Sequence, residues 1–390
     1  MDFELSEDQK VLKKSVRDFA AAEIAPHCRK WDNESHFPLE LIPKLGDLGL
    51  LGMMTPDEYG GAAMSLLDVA VVIEELAAVD GSVAITVASH NGLCSGHINL
   101  FGNEDQKRRY LPDLASGKKL GAWGLTEPGS GSDAAGARTR ATRLADGSWS
   151  LSGQKTFITQ GSVGGVAVIL AVTSPEKKQR GITAFIVDYG TPGFSASRRI
   201  EKMGLHASDT AELTLDDVRV PDSQRLGEID SGFIDTLRIL DKGRITIGAM
   251  ALGLGVGAMN AAIRYAKERR QFGKSLSEFQ AIQNMIAQAV MELDASRLLL
   301  HRAAWMHDQG LRFGLQASMA KLYAAQAAMR ACNTAVQIHG GYGYTREFPV
   351  EKAMRDAKLC EIGEGTNEIQ RLVISRELLG KGELLVPSVY

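Results

Sequence analysis

The chain has 390 residues, and at roughly 150 residues per domain this length allows two or three domains. Hydrophobic residues make up 44% of it and charged residues 23%, which is typical of a folded globular protein and argues against disorder. The 44 Lys and Arg nearly balance the 47 Asp and Glu, and a net charge of -3 argues against a nucleic-acid-binding surface.

The N-terminus and the cysteines bear on localisation. The first residues, MDFELSED, are acidic, whereas a secretion signal is basic and then apolar and a transit peptide is rich in arginine. The four cysteines, Cys28, Cys94, Cys332 and Cys360, have no paired spacing, which favours a reducing compartment. We therefore expect a cytoplasmic, bacterial protein, or one from the mitochondrial matrix only if a transit peptide has been removed.

The first 120 residues have a helical pattern. Ser6 and Gln9 form a capping-box motif before an amphipathic helix. Further helices are predicted over residues 39–50, 65–80 and 82–101. We expect a helical domain over residues 1–120.

From residue 121 the pattern alternates with a period of two. Strands are predicted over residues 139–144, 149–159, 166–173, 183–188 and 212–220, and Asp146-Gly147 is a hairpin turn between the first two. Prolines recur here among Gly, Ser and Asp, as turns between strands require. A β domain is therefore expected over residues 121–228.

The remaining segment lacks proline almost entirely. None of the 11 prolines lies between Pro221 and Pro349, and because proline breaks helix interiors this predicts long helices over most of residues 229–390. The 19 uncharged residues 245–263 would be long enough to cross a membrane, but four glycines dilute their hydrophobicity, so a helix buried among protein neighbours is favoured. Thr366 is predicted to cap the last helix.

Three glycine-rich segments could carry chemistry. Glu364 lies between two glycines before a helix, where it could act as a general base or simply be a solvated acid at a favourable helix end. Residues 123–133 (WGLTEPGSGSD) could bind an anionic or heteroaromatic ligand through backbone N–H groups, or could be a linker. Residues 337–344 could do the same at a helix end, or form an ordinary turn.

Two other motifs are rejected. Residues 253–258 match part of a dinucleotide-binding fingerprint, but the flanking pattern is helical and the strands that the fingerprint needs are absent. His90, Cys94 and His97 are metal-ligand types without a fourth partner nearby. We therefore expect neither a nicotinamide cofactor nor a metal.

The chain resembles the acyl-CoA dehydrogenase family over essentially its whole length. The resemblance rests on seven segments in order, at residues 123–133, 153–159, 202–210, 268–274, 279–283, 337–341 and 363–370. It implies an α+β multidomain fold with an N-terminal helical domain, a barrel-like middle β domain and a C-terminal four-helix bundle. It also implies FAD as the cofactor.

The resemblance implies a role for particular residues. The implied FAD-binding residues are Trp123, Leu125, Thr126, Gly131, Ser132, Phe157, Ile158, Thr159, Arg269, Gln271, Phe272, Gln280, Gln337, Ile338, Gly340, Gly341, Thr366, Asn367 and Glu368. Arg269 to Gln280 and Gln337 to Gly341 resemble segments that bind FAD across a subunit contact, so a homo-oligomer, usually a tetramer, is implied. Many relatives have tryptophan in place of Phe157.

The family's chemistry implies that Glu364 removes the α proton of an acyl-CoA thioester. Some members place this base at the position of Gly243, where glycine cannot serve. Ser132, Asp241, Arg244 and Gly365 are the implied substrate-binding residues.

The implied electron acceptor is an electron-transfer flavoprotein, and β-oxidation or branched-chain amino-acid catabolism is the implied setting. A short straight or branched acyl chain is favoured over a dicarboxyl one, because Val83 stands where glutaryl-CoA relatives have arginine. The alternatives are an acyl-CoA oxidase that uses oxygen, and a DNA-binding or non-catalytic member of the same fold.

Overall fold

The computed structural model describes residues 4–380 and has helices at both ends with a sheet between them. This confirms the predicted three-part α+β arrangement. The ends of the first and third predicted domains, residues 1–3 and 381–390, lie outside the described residues. The helices are α1 (Glu7–Phe19), α2 (Cys28–Glu34), α3 (Ile42–Asp47), α4 (Leu66–Ala77), α5 (Gly81–Ser89), α6 (Gly96–Phe101), α7 (Glu104–Ala115), α8 (Gly232–Glu268), α9 (Gln280–Asp308), α10 (Gly314–His339), α11 (Val350–Ala357) and α12 (Asn367–Leu379).

The N-terminal helices begin and end where local sequence signals place them. The predicted capping box at α1 is present, with the side chains of Ser6 and Gln9 each accepting from the other's backbone N–H. The helical run predicted over residues 82–101 consists of α5, a π-helical turn (His90–Ser95) and α6. This turn places Asn91 where its amide holds the backbone of Leu50 and Met53 in the preceding loop.

The middle of the chain forms an eight-stranded sheet. Its strands are β1 (Gly121–Gly124), β2 (Arg140–Arg143), β3 (Trp149–Thr159), β4 (Val166–Val172), β5 (Ile182–Asp188), β6 (Phe194–Arg199), β7 (Thr210–Val220) and β8 (Arg225–Leu226). The order is β6-β7-β3-β2-β4-β5-β8, with β1 parallel to β4. A further two-stranded hairpin, β9 (Arg270–Gln271) and β10 (Lys274–Ser275), follows α8.

The expectation of a barrel-like domain is corrected by this pairing, because the sheet is open. Its edge strands β6 and β8 do not pair with each other, and β8 has only two residues to offer. The two halves of the sheet meet through a single residue pair, Arg140 with Val172. So short a joint lets the halves fold over one another without closing.

Both faces of the sheet are covered. Val166 and Val168 of β4 pack with Trp123 and the N-terminal helices, whereas Ala167 and Ile169 on the opposite face pack with Trp149 and the other half of the sheet. Since side chains alternate along a strand, β4 is apolar throughout and buried on both sides.

Helix α8 packs against helices from both the N-terminal and the C-terminal part of the chain. It is the one helix among residues 4–380 that is long and apolar enough to span a membrane, but 83% of its most apolar window is buried within the protein. Gly253 and Gly257 let it approach the backbone of Glu74 and Ala78 at the end of α4. The apolar stretch and the apparent dinucleotide motif are therefore helix-packing features. The alanine-rich helix α10 packs against α8, α9 and α12 in the C-terminal bundle.

Candidate active site

Glu364 lies on a strained loop between two helical segments. A short 3₁₀ turn (Lys358–Glu361) precedes it and α12 follows, capped as predicted by the Thr366 hydroxyl, which accepts the backbone N–H of Ile369 at 3.3 Å. Both Glu364 (φ +50°) and Gly365 (φ +90°) have left-handed backbone conformations. Such a conformation is unfavourable for glutamate and persists only where neighbouring structure enforces it. We call residues 363–367 the catalytic loop, after the role predicted for Glu364.

Two buried side chains hold the catalytic loop in place. The ammonium group of Lys321, on α10, donates to the Gly365 carbonyl at 2.8 Å and to Asn367 Oδ1 at 3.3 Å. The amide of Gln370 donates to the same carbonyl at 3.0 Å. The loop is thus tied through its backbone, which leaves the Glu364 side chain free to act.

The Glu364 carboxylate points at α8. It lies over Gly243, where a methyl group would overlap its Oε2 atom. This oxygen is buried and has no hydrogen-bond partner among residues 4–380, although the residue as a whole is only partly buried. Burial raises the pKa of Glu364 to about 7, and the nearby charges of Lys321 and Arg244 moderate the effect. A carboxyl group poised near neutral pH suits a general base.

Arg244, whose charge acts on the Glu364 carboxylate, forms an ion pair with Asp241. Arg244 Nη1 donates to Asp241 Oδ1 at 2.5 Å and to Ser318 Oγ at 3.2 Å. Both side chains open onto a cavity of about 230 Å³. Burial raises the pKa of Asp241. These two predicted substrate-binding residues therefore lie next to a space that a ligand could enter.

A second group of predicted residues meets at the sheet. The Thr156 N–H donates to the Thr126 carbonyl at 2.9 Å, which brings the loop of residues 123–133 beside strand β3. We call it the flavin loop, after the cofactor role predicted for its residues. In β3 a register shift follows Lys155, and Phe157 takes a left-handed conformation (φ +58°) with its side chain 66% exposed. The Ile158 side chain is buried in the sheet core, so only its backbone is available to a ligand.

This surface fits a planar aromatic ligand. A methyl group added at Gly129 or Gly131 would meet no atom within 4 Å, so the flavin loop is open on its outer side. The exposed ring of Phe157 beside it is a surface on which a planar ring can stack. Trp123 itself is buried, and its indole N–H donates to His97 Nδ1 at 3.1 Å. Burial lowers the pKa of His97 to about 3, so this ring is neutral.

An ion pair holds the flavin loop from inside. Lys155 is fully buried and donates to Glu127 at 2.8 Å and to the Leu125 carbonyl at 3.1 Å. Glu127 also accepts the backbone N–H groups of Arg138 and Thr139. Burial alone would raise the pKa of Glu127, but Lys155 and these donors hold it below its usual value.

The remaining predicted cofactor residues lie elsewhere. Arg269, Gln271, Phe272 and Gln280 are exposed on and beside the β9–β10 hairpin, and the Phe272 side chain is 94% exposed. The Arg269 guanidinium lies 5.5 Å from the centre of the Tyr342 ring, which brings the hairpin next to the 3₁₀ turn (Gly340–Tyr344) that contains Gly340 and Gly341. Gln337 and Ile338 lie just before this turn, in the last turn of α10, and Ile338 is buried.

The hairpin follows the C-terminal end of α8, whereas the catalytic loop contacts α8 at Gly243. The 25 residues from Gly243 to Glu268 correspond to about 38 Å of helix. The hairpin and the catalytic loop of one chain are therefore far apart along α8. Leu125 of the flavin loop packs against the same hydrophobic cluster as Leu240, which lies one turn before Gly243 on α8.

Three supporting residues were missed by sequence reasoning. Lys321 interrupts the buried alanine face of α10, one turn after Ala317, and a lysine on such a face is a detectable signal. Lys155 occupies an inward position of β3, in register with Trp149 and Leu151. Gln370 gave no such signal. No group of residues within 4–380 could hold a metal ion.

Family models match nearly the whole chain. The model described as "Acyl-CoA dehydrogenase, N-terminal domain" matches residues 6–118, the middle-domain model residues 122–218 and the C-terminal-domain model residues 230–379. Three relatives illustrate the similarity. They are the probable acyl-CoA dehydrogenase YngJ of Bacillus subtilis (45% identity; 97% of this chain and 100% of the relative), the short-chain-specific acyl-CoA dehydrogenase of Clostridium acetobutylicum (42%; 97% and 100%) and the caffeyl-CoA reductase–Etf complex subunit CarC of Acetobacterium woodii (41%; 96% and 99%).

Solved structures share the whole fold. Butyryl-CoA dehydrogenase from Megasphaera elsdenii superposes with a TM-score of 0.95 at 43% identity, covering 97% of this chain and all of the other. A chain from work on the electron transferring flavoprotein of Acidaminococcus fermentans gives 0.96 at 42% identity, covering 98% and 100%. The FAD complex of PigA gives 0.94 at 29% identity, covering 98% and 100%.

Proposed function

The chain belongs to the acyl-CoA dehydrogenase family, and from that membership we propose how its own residues act. The protein is an FAD-dependent acyl-CoA dehydrogenase. We propose that Glu364 is the base that removes the α proton of the acyl thioester. The observation that carries this is the buried, unpaired Oε2 of Glu364, whose pKa lies near 7.

FAD, when bound, supplies the acceptor for the hydride that leaves the β carbon. The chain contributes position and proton transfer. The flavin loop and Phe157 would hold the isoalloxazine ring, and Asp241 and Arg244 would line the approach of the thioester. An acyl chain that enters the site excludes water, which keeps the pKa of Glu364 raised and the carboxylate basic.

Electrons leave the reduced enzyme to an electron-transfer flavoprotein. This partner is supported by two relatives, the CarC subunit of an Etf complex and the Acidaminococcus chain. We further propose a homo-oligomer in which the hairpin and turn of one subunit contact the FAD of another. The support is the distance of about 38 Å along α8 between the hairpin and the catalytic loop of one chain.

A short acyl chain is the proposed substrate, since several relatives are named short-chain specific. A steady-state comparison of butyryl-, isobutyryl-, isovaleryl-, octanoyl- and glutaryl-CoA tests this. The highest kcat/KM should fall on butyryl- or isobutyryl-CoA. A preference for octanoyl- or glutaryl-CoA would contradict it.

The base assignment is tested by anaerobic flavin reduction. Butyryl-CoA should bleach the visible flavin spectrum of the wild-type holoenzyme. The variant Glu364→Gln should retain FAD but be reduced about 10³-fold more slowly, because the amide cannot accept the proton. Reduction at the normal rate would refute the assignment. Rapid reoxidation of the reduced wild type in air would favour the oxidase alternative.

A further inference from the structure

We propose that Lys321 is a positioning residue for Glu364: its ammonium group holds the catalytic loop, and its positive charge favours the ionised form of the base. The proposal deepens the proposed function and depends on the assignment of Glu364. It concerns a lysine that none of the seven family segments contains.

Lys321 is fully buried, and its ammonium group reaches the carbonyl of Gly365, the residue directly after the base, at 2.8 Å. Its second acceptor, Asn367 Oδ1, lies at the other end of the same loop. Because Glu364 and Gly365 both have positive φ angles, the loop needs such external restraints to keep its shape.

Lys321 has no counter-ion among residues 4–380. Within residues 4–380 no carboxylate lies within 4 Å of its ammonium group, and both of its acceptors are neutral oxygens. Two other lysines differ: the fully buried Lys155 pairs with Glu127, and Lys352, whose side chain is 12% exposed, pairs with Asp80 and Asp356. An uncompensated buried charge costs folding free energy, and an apolar residue at this position would avoid that cost. We therefore expect the charge of Lys321 to have a role in the site.

The titratable and charged groups around the Lys321 ammonium are Glu361, Arg244, Cys360 and Glu364. Glu361 is paired with Lys358, and Arg244 on α8 is paired with Asp241. Cys360 is buried with its pKa raised to about 12, so it is a neutral thiol. This leaves Glu364 as the acid near Lys321 that has no partner of its own.

Burial lowers the pKa of Lys321 to about 8, so the ammonium form dominates at neutral pH. Its charge there stabilises the carboxylate of Glu364 and opposes the effect of burial. Without that charge, Glu364 would hold its proton to higher pH and would be available as a base over a narrower range.

The test measures the rate of anaerobic flavin reduction by butyryl-CoA as a function of pH in the FAD-loaded enzyme. Lys321→Gln removes the charge but keeps a donor for the Gly365 carbonyl, and Lys321→Met removes both. In both variants the acidic limb of the profile should move to higher pH, by about 1 pH unit. The maximal rate should fall by at least about tenfold in Lys321→Met and less in Lys321→Gln, because only the amide still restrains the loop.

Lys352→Gln is the matched control, since it also neutralises a largely buried lysine but lies outside the catalytic loop. It should lower the melting temperature without moving the acidic limb. If Lys321→Met fails to retain FAD, the acidic limb of Lys321→Gln alone tests whether the charge of Lys321 acts on Glu364. Acidic limbs that coincide with that of the active wild type would overturn the proposal. A wild type that butyryl-CoA does not reduce would instead refute the proposed function.

Discussion

The two loops that build the site are each held by a buried lysine, but the lysines differ in what balances their charge. Lys155 reaches into the flavin loop and is neutralised by Glu127 at 2.8 Å. Lys321 reaches into the catalytic loop and binds only neutral oxygens. The flavin loop is thus held by a complete ion pair, and the catalytic loop by an unbalanced charge.

This difference matches the two proposed roles, which are flavin binding and proton removal. A surface that binds a planar ring has to be fixed. A neutralised ion pair with two further backbone donors fixes it and adds no net charge. A loop that carries a base also has to set the protonation of that base. An unpaired positive charge nearby does so, at the expense of stability.

The largest expected effect comes from breaking the ion pair of the flavin loop. Lys155→Met leaves the Glu127 carboxylate buried without its counter-charge, and such a loss costs about 4 kcal/mol of unfolding free energy. The Leu125 carbonyl loses its donor as well, so the loop should bind FAD poorly. Urea unfolding and the ratio of flavin to protein absorbance measure the two effects.

Lys177→Met is the control for this change. Lys177 also pairs with a carboxylate in the sheet region, Asp230, but its side chain is 54% exposed. An exposed pair contributes less than about 1 kcal/mol, so this variant should keep its FAD. Equal losses in the two variants would show that the buried pair has no special role in holding the loop.

The next effect concerns stability at the catalytic loop. The pKa of Glu364 is about 7 in the folded state and 4.5 in the unfolded chain. Between these values the folded state binds more protons, so wild-type stability falls as the pH rises from 4.5 to 7. Glu364→Gln carries no such charge, and at about pH 8 it should be more stable than wild type by up to about 3 kcal/mol.

Chemical denaturation at saturating FAD on either side of this window measures the difference. Below pH 4.5 both forms of residue 364 are neutral in the folded and the unfolded state, so the advantage of the variant should disappear. A variant that loses stability at about pH 8 would mean that the buried carboxylate is compensated after all.

Much of this architecture could be predicted from local sequence. The proline gap predicted the long helices α8 to α10 because a helix interior excludes proline throughout its length. The predicted strands of the sheet were found because their apolar patterns and the turns that bound them are local in sequence, whereas β1, β6 and β8 are short or lack a regular pattern and were missed. The open sheet was also missed, because the single-pair joint between β2 and β4 joins residues far apart in sequence.

The site, like the fold, could be predicted only where the signal is local in sequence. Glu364 stood out because glycines flank it, and in the structure Gly365 has a positive φ. The surroundings of Glu364 could not be predicted from local sequence. Gly243, Lys321 and Gly365 come from three separate segments, and only the packing of α8, α10 and the catalytic loop brings them together. The family resemblance supplied candidate roles but not this geometry.

The smallest expected effect tests whether the Glu364 side chain can rotate although its backbone is held in place. In Gly243→Ala the new methyl group would overlap Glu364 Oε2, which is the far end of a flexible side chain and can rotate away. Alanine is also favoured over glycine in a helix by about 1 kcal/mol. The variant should therefore keep wild-type stability or better, with flavin reduction within about tenfold of wild type.

Gly257→Ala, on the same helix, is the matched contrast. There the methyl group would overlap the backbone carbonyl of Ala78, which α4 and α5 hold in place, so the helices must separate. Overpacking of this kind costs about 1–3 kcal/mol. If Gly243→Ala were the less stable of the two, the carboxylate would have to be held as rigidly as backbone. The Glu364 side chain would then not be free to rotate on its restrained backbone.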